Sequence, residues 1–157
     1  MAVDPNSPQE EARLVAALQK WADGKSTLRD VRGYSDEELY AIAKTAYFFF
    51  YQGRVNEART LFQGLYAVNP TDAYFAKALG VVELAAGNQQ GALAAYDVAI
   101  KLAPNDAQAY VGRAEVKLAM GQKSQAIEDL RRAASLGTED DPVTRKANAM
   151  ISSLSRR

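Results

Sequence analysis

Histidine and cysteine are both absent from this sequence of 157 residues, and their absence removes most of the chemistry that enzymes use. Without cysteine there is no disulfide framework and no thiolate metal site, which is typical of a protein from a reducing compartment. Without histidine, cysteine or a glycine-rich phosphate loop, most acid–base, nucleophilic and nucleotide chemistry has no residues to carry it. The adjacent acids Glu37-Glu38 and Asp140-Asp141 are interpreted as solvated surface. We therefore expect no enzyme activity, no metal and no cofactor.

A surplus of charge of one sign and a long hydrophobic run are also lacking. The 19 lysines and arginines balance the 19 aspartates and glutamates, whereas nucleic-acid binders usually carry a basic surplus. The longest apolar run, Ala46 to Tyr51, is far shorter than the roughly 20 residues of a membrane-spanning helix. The first residues include Asp4, Glu10 and Glu11 and do not resemble a signal peptide. We expect a soluble cytoplasmic protein without nucleic-acid or membrane partners.

The sequence does contain a helical hairpin that recurs at a fixed interval. Its clearest copy, residues 73–104, has two segments with apolar residues spaced by three and four, joined at Gly87-Asn88. Four kinds of position repeat at steps of 34 residues. They are Gly53, Gly87 and Gly121; Ala58, Ala92 and Ala126; Phe62, Tyr96 and Leu130; and Pro70 and Pro104. A period of about 34 residues in helix–turn–helix units is the signature of tetratricopeptide repeats, abbreviated TPR.

The predicted fold is therefore all-α, a TPR superhelix in a single domain that spans residues 1–157. Its three helix–turn–helix repeats occupy residues 36–69, 70–104 and 105–138. An N-terminal helix and a connector, residues 7–34, precede them, and Ser7-Pro8 is typical of a helix start. Ser35 and Glu38 form a capping box that opens the first repeat. Residues 141–155 are predicted to form the C-terminal capping helix that repeat arrays need.

The predicted N-terminal helix carries an apolar stripe of Leu14, Val15, Leu18 and Trp21. This is more apolar surface than a frayed terminus requires. The stripe either joins two copies of the chain in a homodimer or caps the first repeat within its own chain. The sequence leaves both alternatives open.

A binding groove is expected on the concave side of the superhelix, because the first helix of each repeat lines that side. By the TPR resemblance, five positions in each of these helices face the groove, and we assign ten of these positions to peptide binding. The predicted peptide-binding groove consists of Tyr40, Ala43, Tyr47, Phe50 and Tyr51 in repeat one, Tyr74, Lys77, Val81 and Leu84 in repeat two, and Val111 in repeat three. Phe49 and Phe62 occupy packing positions and are assigned to the core.

Aromatic residues are concentrated where this groove begins. Of 14 aromatic residues, 11 lie between Tyr34 and Phe75. Tyrosine at a binding surface combines apolar area with a hydroxyl at a low entropic cost. Ala43 is small, and it is expected to leave a pocket between Tyr40 and Tyr47 for an apolar side chain of a peptide.

The single charged residue in the groove of the first two repeats is Lys77. TPR domains of chaperone cofactors clamp a terminal carboxylate with several lysine, asparagine and arginine side chains. Lys77 alone, among aromatic and small apolar residues, argues against such a clamp. We expect Lys77 to bond to carbonyls or an acid of an extended peptide that has apolar anchors.

Three features occur together between Leu14 and about residue 134: an N-terminal helix, the run Gly24-Lys25-Ser26-Thr27-Leu28 before the repeats, and the order of apolar residues between Leu39 and Gly80. With these features the chain resembles the class II chaperones of type III secretion, the SycD/LcrH-like translocator chaperones. It implies a small cytoplasmic bacterial chaperone that works without ATP. Such chaperones bind hydrophobic translocator proteins, with a P-x-L-x-x-P-like client segment in the concave groove, and many form dimers. A general TPR scaffold or adaptor is the alternative interpretation.

Overall fold

The computed structural model describes residues 7–9, 12–13, 16, 20, 29–30 and 33–156. Residues 33–156 form seven helices and contain no strand. The helices are α1 (Asp36–Tyr51), α2 (Val55–Val68), α3 (Ala73–Ala85), α4 (Gln89–Leu102), α5 (Ala107–Ala119), α6 (Lys123–Ser135) and α7 (Pro142–Ser155). The predicted all-α TPR fold, with three helical hairpins and a C-terminal helix, is confirmed.

The predicted N-terminal helix lies mostly outside the described residues. Residues 8–9, 12–13, 16 and 20 are helical. The stripe of Leu14, Val15, Leu18 and Trp21, to which the sequence assigns self-association, is not among the described residues. Its role therefore stays a prediction.

Side-chain caps start the first helix of each hairpin and the C-terminal helix. At α1, Ser35 Oγ accepts from the amide of Glu38 at 3.2 Å, and Glu38 Oε2 accepts from the amide of Ser35 at 2.9 Å. Asp72, Asp106 and Asp141 cap α3, α5 and α7 by accepting from the amide two residues ahead. These bonds satisfy amide groups that have no partner inside a helix.

Glycine is required in the turn of each hairpin. Gly53, Gly87 and Gly121 have φ angles of 78°, 82° and 75°, which lie in the left-handed region. Side chains with a Cβ are strained in this region, so glycine is the residue that ends one helix and turns the chain into the next. The repeated glycine in the sequence is thus a backbone requirement that recurs in every unit.

The buried residues of the described chain form three clusters that follow one another through the stacked hairpins. Phe62 and Leu130 are fully buried, and so are Ala58, Ala92 and Ala126, which let the paired helices approach closely. Tyr96, the equivalent of Phe62 in the second hairpin, lies between Gly80 of α3 and Gly112 of α5. Among the described residues, no helix is both long and apolar enough to cross a membrane.

Two buried carboxylates join neighbouring helices. Glu83 in α3 accepts hydrogen bonds from Arg59 in α2 and from Asn88, the residue that caps α4. Asp129 in α6 accepts a bidentate pair of bonds from Arg113 in α5, at 2.7 and 2.9 Å. Charged groups this deep are tolerated only when they are paired and hydrogen-bonded.

Candidate functional site

The first helices of the hairpins, together with α7, lie side by side along one face of the stack. The ring centroids of Tyr40 in α1 and Tyr74 in α3 are 5.5 Å apart. Lys77 Nζ in α3 is 3.2 Å from Gln108 Oε1 in α5. These contacts join the first helices of successive hairpins, so they mark the inner face of the superhelix. We call this face the concave groove.

Four tyrosines cluster in the first half of the groove and form what we call the aromatic patch: Tyr40, Tyr47, Tyr51 and Tyr74. The rings of Tyr47 and Tyr51 stack at 6.2 Å, and Tyr47 also meets Tyr74 at 6.2 Å. The side of Tyr47 that faces inward packs edge-on against the core residue Phe62 at 4.9 Å. The patch is therefore anchored to the core, while Tyr51 remains 82% exposed.

The hydroxyl groups of Tyr40, Tyr47 and Tyr74 stay protonated at physiological pH, because their surroundings raise the pKa of each. The Tyr40 hydroxyl donates to Asp72 Oδ2 at 2.7 Å, and this bond, with burial, raises the pKa of Tyr40 to about 12. Burial is the main cause that raises the pKa of Tyr47, and the nearby hydroxyls of Tyr74, Tyr51 and Tyr96 raise it further. Burial also raises the pKa of Tyr74. The patch therefore offers neutral rings and hydrogen-bonding hydroxyls.

The three phenylalanines near the end of α1 lie in three different environments: the edge of the aromatic patch, the core and the solvent-exposed surface. Phe50 is half-buried and meets Tyr51 at 5.8 Å, at the edge of the aromatic patch. Phe49 packs against the first hairpin's core beneath the guanidinium of Arg54, which lies 4.2 Å above its ring. Phe48 is 59% exposed and contacts Phe49.

The structure corrects the predicted role of Ala43. This residue is only 1% exposed and belongs to the core between α1 and α2. The prediction of an open pocket over Ala43 treated the position as part of the groove surface. In the folded chain, however, the position is buried in the cluster of residues that joins α1 to α2 and α3. A charged residue at position 43 would enter the core, so it would disturb folding as well as binding.

The structure also corrects the expectation for Lys77. Its ammonium group is already bound within the chain, to Asp106 Oδ2 at 2.7 Å and to Gln108 Oε1 at 3.2 Å. The pair is half-buried and links α3 to the cap of α5. Lys77 is therefore a bridge between repeats, and a peptide would have to compete with Asp106 for it.

The second half of the groove holds residues that the sequence interpretation missed. Val81 and Val111, both predicted for the groove, line a cavity of about 260 Å³ together with Tyr96, Val143 and Lys146. Leu84, also predicted for the groove, is half-buried against the core between the second and third hairpins. The sequence does distinguish Tyr96, because its equivalents in the other repeats, Phe62 and Leu130, have no hydroxyl. Nothing in the repeat pattern points to Val143 and Lys146, because α7 lies outside the repeat period.

Comparison with known families and structures supports the TPR fold. A family model described as tetratricopeptide repeat matches residues 44–107. No curated protein gives a significant sequence match. The translocator chaperone SycD of type III secretion in Yersinia enterocolitica is 20% identical, with a TM-score of 0.75 that covers 82% of this chain and 98% of SycD.

Two further solved structures have the same fold with a bound peptide. PcrH from Pseudomonas aeruginosa, in complex with the chaperone-binding region of PopD, is 22% identical with a TM-score of 0.73, covering 80% of this chain and 96% of PcrH. The first TPR domain of Spaghetti (RPAP3), bound to an HSP90 peptide, is 16% identical with a TM-score of 0.69, covering 78% and 94%. The predicted resemblance to translocator chaperones is confirmed at the level of the fold.

Proposed function

We propose that this protein is a chaperone of bacterial type III secretion that binds hydrophobic translocator proteins in the cytoplasm and keeps them soluble until secretion. In this proposal, an extended segment of the client lies in the concave groove, and no reaction is catalysed. The observation that carries the proposal is the aromatic patch, whose exposed rings converge from α1 and α3. The shared fold with PcrH, which holds the chaperone-binding region of PopD, supports it.

The chemistry of the aromatic patch suits an extended apolar segment. Tyrosine rings provide rigid apolar area, and their hydroxyls can pair with the peptide backbone of the client. Segments that contain proline are already extended, so they lose less entropy on binding than flexible segments do. A client segment of the P-x-L-x-x-P type meets both requirements.

Replacing the exposed aromatic groups of the patch should weaken client binding without harming the fold. We expect Tyr51→Ala and Tyr74→Ala each to weaken binding about tenfold, as is typical of an aromatic anchor in a binding site. The measurement is calorimetric titration with a translocator client that is first identified by co-expression. Phe48→Ala is the matched control, because Phe48 is also an exposed aromatic residue of α1 but its ring contacts Phe49 and no ring of the aromatic patch among the described residues.

The control and the groove variants separate the two faces of α1. If Phe48→Ala weakened binding while Tyr51→Ala and Tyr74→Ala did not, the client would bind the outer face of the first hairpin, and the groove assignment would be wrong. Circular dichroism of Tyr51→Ala and Phe48→Ala should match that of the parent, because these side chains are 82% and 59% exposed. Tyr74 is 36% exposed and contacts the rings of Tyr40 and Tyr47, so Tyr74→Ala should keep the helical spectrum with a small loss of stability.

A general TPR scaffold or adaptor is the second candidate. The observation in its favour is the equally extensive fold match to the RPAP3 domain, which binds an HSP90 peptide. Co-expression distinguishes the two functions. A chaperone solubilises an otherwise aggregating client at a fixed ratio, whereas a scaffold binds a partner that is already folded. Genes for large proteins with one or two hydrophobic segments beside this gene would also favour the chaperone.

Self-association through the N-terminal helix is a further part of the proposal. If the N-terminal helix instead caps the first repeat of its own chain, the described residues show a surface that it could cover. An apolar cavity of about 220 Å³ opens between α1 and α2, lined by Leu39, Ile42, Leu61 and Val68. Arg29 donates to the carbonyl of Tyr34 and pairs with Asp36, so residue 29 itself lies at the start of the first hairpin.

Deleting residues 1–22 should halve the mass measured by light scattering if the stripe of Leu14, Val15, Leu18 and Trp21 joins two copies. This is the result that we expect, because apolar side chains of this size contribute most of the stability of a helical dimer interface. An unchanged mass together with a lower melting temperature would contradict it. That result would instead show that the helix caps the first hairpin of its own chain.

A further inference from the structure

The carboxylates of Asp72 and Asp106 occupy the same position in successive repeats but have different partners. Each caps the first helix of a hairpin by accepting from the amide two residues ahead. Asp106 Oδ2 also binds the ammonium group of Lys77 at 2.7 Å. One repeat earlier, Ala43 stands at the position of Lys77. The first of the two carboxylates therefore lacks the cation that the second has.

Neutral donors are the partners that Asp72 does have. Its Oδ1 accepts from the amide of Tyr74 at 2.9 Å, and its Oδ2 accepts from the hydroxyl of Tyr40 at 2.7 Å. Among the described residues, no lysine or arginine forms a salt bridge with Asp72. A carboxylate can accept about four hydrogen bonds, so Asp72 keeps free acceptor sites as well as an uncompensated charge. The residue is half-buried, where water screens a charge pair less than at the surface.

The helix N-terminus beside Asp72 does not prevent a cation from binding. The N-terminal end of a helix carries a partial positive charge, which already stabilises a capping carboxylate. Asp106 also caps a helix, yet it holds the ammonium group of Lys77. An ammonium group is therefore stable against a capping aspartate of this array.

Two exposed rings of the aromatic patch belong to the residues that bond to Asp72. Tyr40 and Tyr74 are 44% and 36% exposed, and their rings meet edge to face with centroids 5.5 Å apart. The face of a tyrosine ring carries negative potential, which attracts an ammonium group within about 6 Å of the ring centroid. In the next repeat, the position of Tyr74 is taken by Gln108, whose Oε1 is 3.2 Å from Lys77 Nζ. An aromatic residue thus stands where the bound Lys77 has its second acceptor.

The charge and shape of these groups indicate an organic cation as the ligand. The carboxylate would repel an anion, and an apolar group beside it would remove water from an unpaired charge. The described residues contain no group of three or more acids that could hold a metal ion. A lysine side chain brings an ammonium group with three donors, and its methylene stem can lie along the tyrosine rings. Lysine is therefore the residue type that these groups fit.

We propose that Asp72, together with the rings of Tyr40 and Tyr74, binds the ammonium group of a lysine in the client segment, as Asp106 binds Lys77 within the chain. The inference deepens the proposed function and rests on it. It adds a charged residue to the chemistry of the client, which apolar anchors alone do not require. The lysine is expected in the part of the client segment that lies against the start of α3.

The test uses the full chain and a probe of defined chemistry, N-acetyl-lysine-N-methylamide. Its binding is followed by NMR through the amide signal of Tyr74, because this amide donates to Asp72. The amide signal of Gln108 is the internal reference, because it donates to Asp106, whose carboxylate is already paired. We expect the lysine amide to shift the Tyr74 signal and to leave the Gln108 signal unchanged.

A second probe isolates the contribution of the charge. N-acetyl-norleucine-N-methylamide has an unbranched side chain like that of lysine but no ammonium group. It should shift the Tyr74 signal far less than the lysine amide does. Equal shifts from the two probes would overturn the proposal, because the site would then bind an apolar side chain.

Asp72→Asn removes the charge and keeps the cap, because asparagine caps a helix about as well as aspartate does. It should weaken binding of the lysine amide about tenfold, as expected when a hydrogen bond loses its charged acceptor. Asp141→Asn is the matched control and should leave binding unchanged, because Asp141 caps α7 in the same way but lies outside the aromatic patch. Asp72→Ser, which also keeps a capping oxygen, replaces Asp72→Asn if that variant folds poorly. Unchanged binding in the variant that folds would overturn the proposal.

Failure of this inference is distinguishable from failure of the proposed function. If Tyr51→Ala weakened client binding but Asp72→Asn did not, the groove would be retained and the ammonium site would be rejected. If Tyr51→Ala, Tyr74→Ala and Asp72→Asn all bound the client as well as the parent does, the client would bind elsewhere. That result would overturn the groove assignment and, with it, the client lysine as the occupant of the site.

A double-mutant cycle tests the contact itself, with the client identified by co-expression. Asp72→Asn and replacement of the client lysine by methionine should each weaken binding about tenfold. Together they should weaken it by about tenfold as well, and not by about a hundredfold, because both remove the same interaction. Additive losses would overturn the proposal, because the lysine and Asp72 would then act independently.

Discussion

Gly112→Ala should lower the free energy of unfolding by about 2 kcal/mol, although it adds only one methyl group. A methyl carbon at position 112 would overlap Cζ, Cε1 and the hydroxyl oxygen of Tyr96. The Tyr96 ring cannot retreat, because a methyl carbon at Gly80 would lie only 2.7 Å from its opposite edge. The ring thus fills the whole space between α3 and α5, and any added volume must push these helices apart.

The matched control is Gly64→Ala in α2. Gly64 is also inside a helix, but a methyl group there would contact no atom of the described residues within 4 Å outside its own helix. Alanine is favoured over glycine in a helix by about 1 kcal/mol, so Gly64→Ala should stabilise the protein by about that amount. Denaturant unfolding of both variants gives the comparison. Equal stabilisation by the two substitutions would show that Tyr96 is not held between α3 and α5 as described.

Glu83→Ala should cost about 3 kcal/mol, the typical loss when one member of a buried, hydrogen-bonded ion pair is removed. The Glu83 carboxylate is 4% exposed and accepts from Arg59 at 3.0 Å, from Gln63 at 2.8 Å and from Asn88 at 2.7 Å. Alanine would leave these donors without their acceptor. Asn88 also caps α4, so the loss would reach three helices.

Acid titration provides an independent check on Glu83. Burial alone would raise the pKa of this carboxyl, but the hydrogen bonds from Arg59, Gln63 and Asn88 outweigh burial and hold the pKa below its ordinary value of 4.5. The stability that Glu83 contributes is therefore complete above pH 4.5 and is lost as the pH falls through the lowered pKa. The difference between the parent and Glu83→Ala should shrink accordingly in acid.

The control for Glu83 is Glu57→Ala. Glu57 pairs with Arg54 at 3.1 Å, but both side chains are about half exposed and water screens the pair. Its removal should leave the free energy of unfolding nearly unchanged. A loss as large as that of Glu83→Ala would mean that burial of the carboxylate is not what makes the Glu83 network important.

Local rules account for what could be predicted of the fold. A residue with φ of about 80° must be glycine or be strained, so Gly53, Gly87 and Gly121 mark the turns in the sequence itself. Helix caps act over two or three residues, so Ser35 and Asp141 mark helix starts equally well. The aromatic patch was predictable for a related reason. Tyr40, Tyr47 and Tyr51 share one face of a regular helix, and the repeat period brings Tyr74 beside them.

The predictions for Ala43 and Lys77 were wrong, because burial of a residue and the partner of a charge depend on neighbouring helices. Ala43 lies on the predicted face of α1, yet it is buried, because its exposure depends on how closely the surrounding side chains approach. Lys77 was expected to be free for a peptide, but the cap of the next repeat supplies Asp106 as its partner. Neither the depth of a position nor the partner of a charge is a property of local sequence.

The sequence by itself therefore determined the repeat period, the helix boundaries and the turns. It also determined which face of α1 and of α3 carries the tyrosines of the aromatic patch. These features follow from interactions within one hairpin, where residue spacing maps directly onto geometry. Only the tertiary structure decided that Tyr96 is wedged between two glycines, and that Val143 of α7 completes a cavity with Val81 and Val111. A cavity is the space left between elements, so it depends on distances between helices that no residue spacing along the chain specifies.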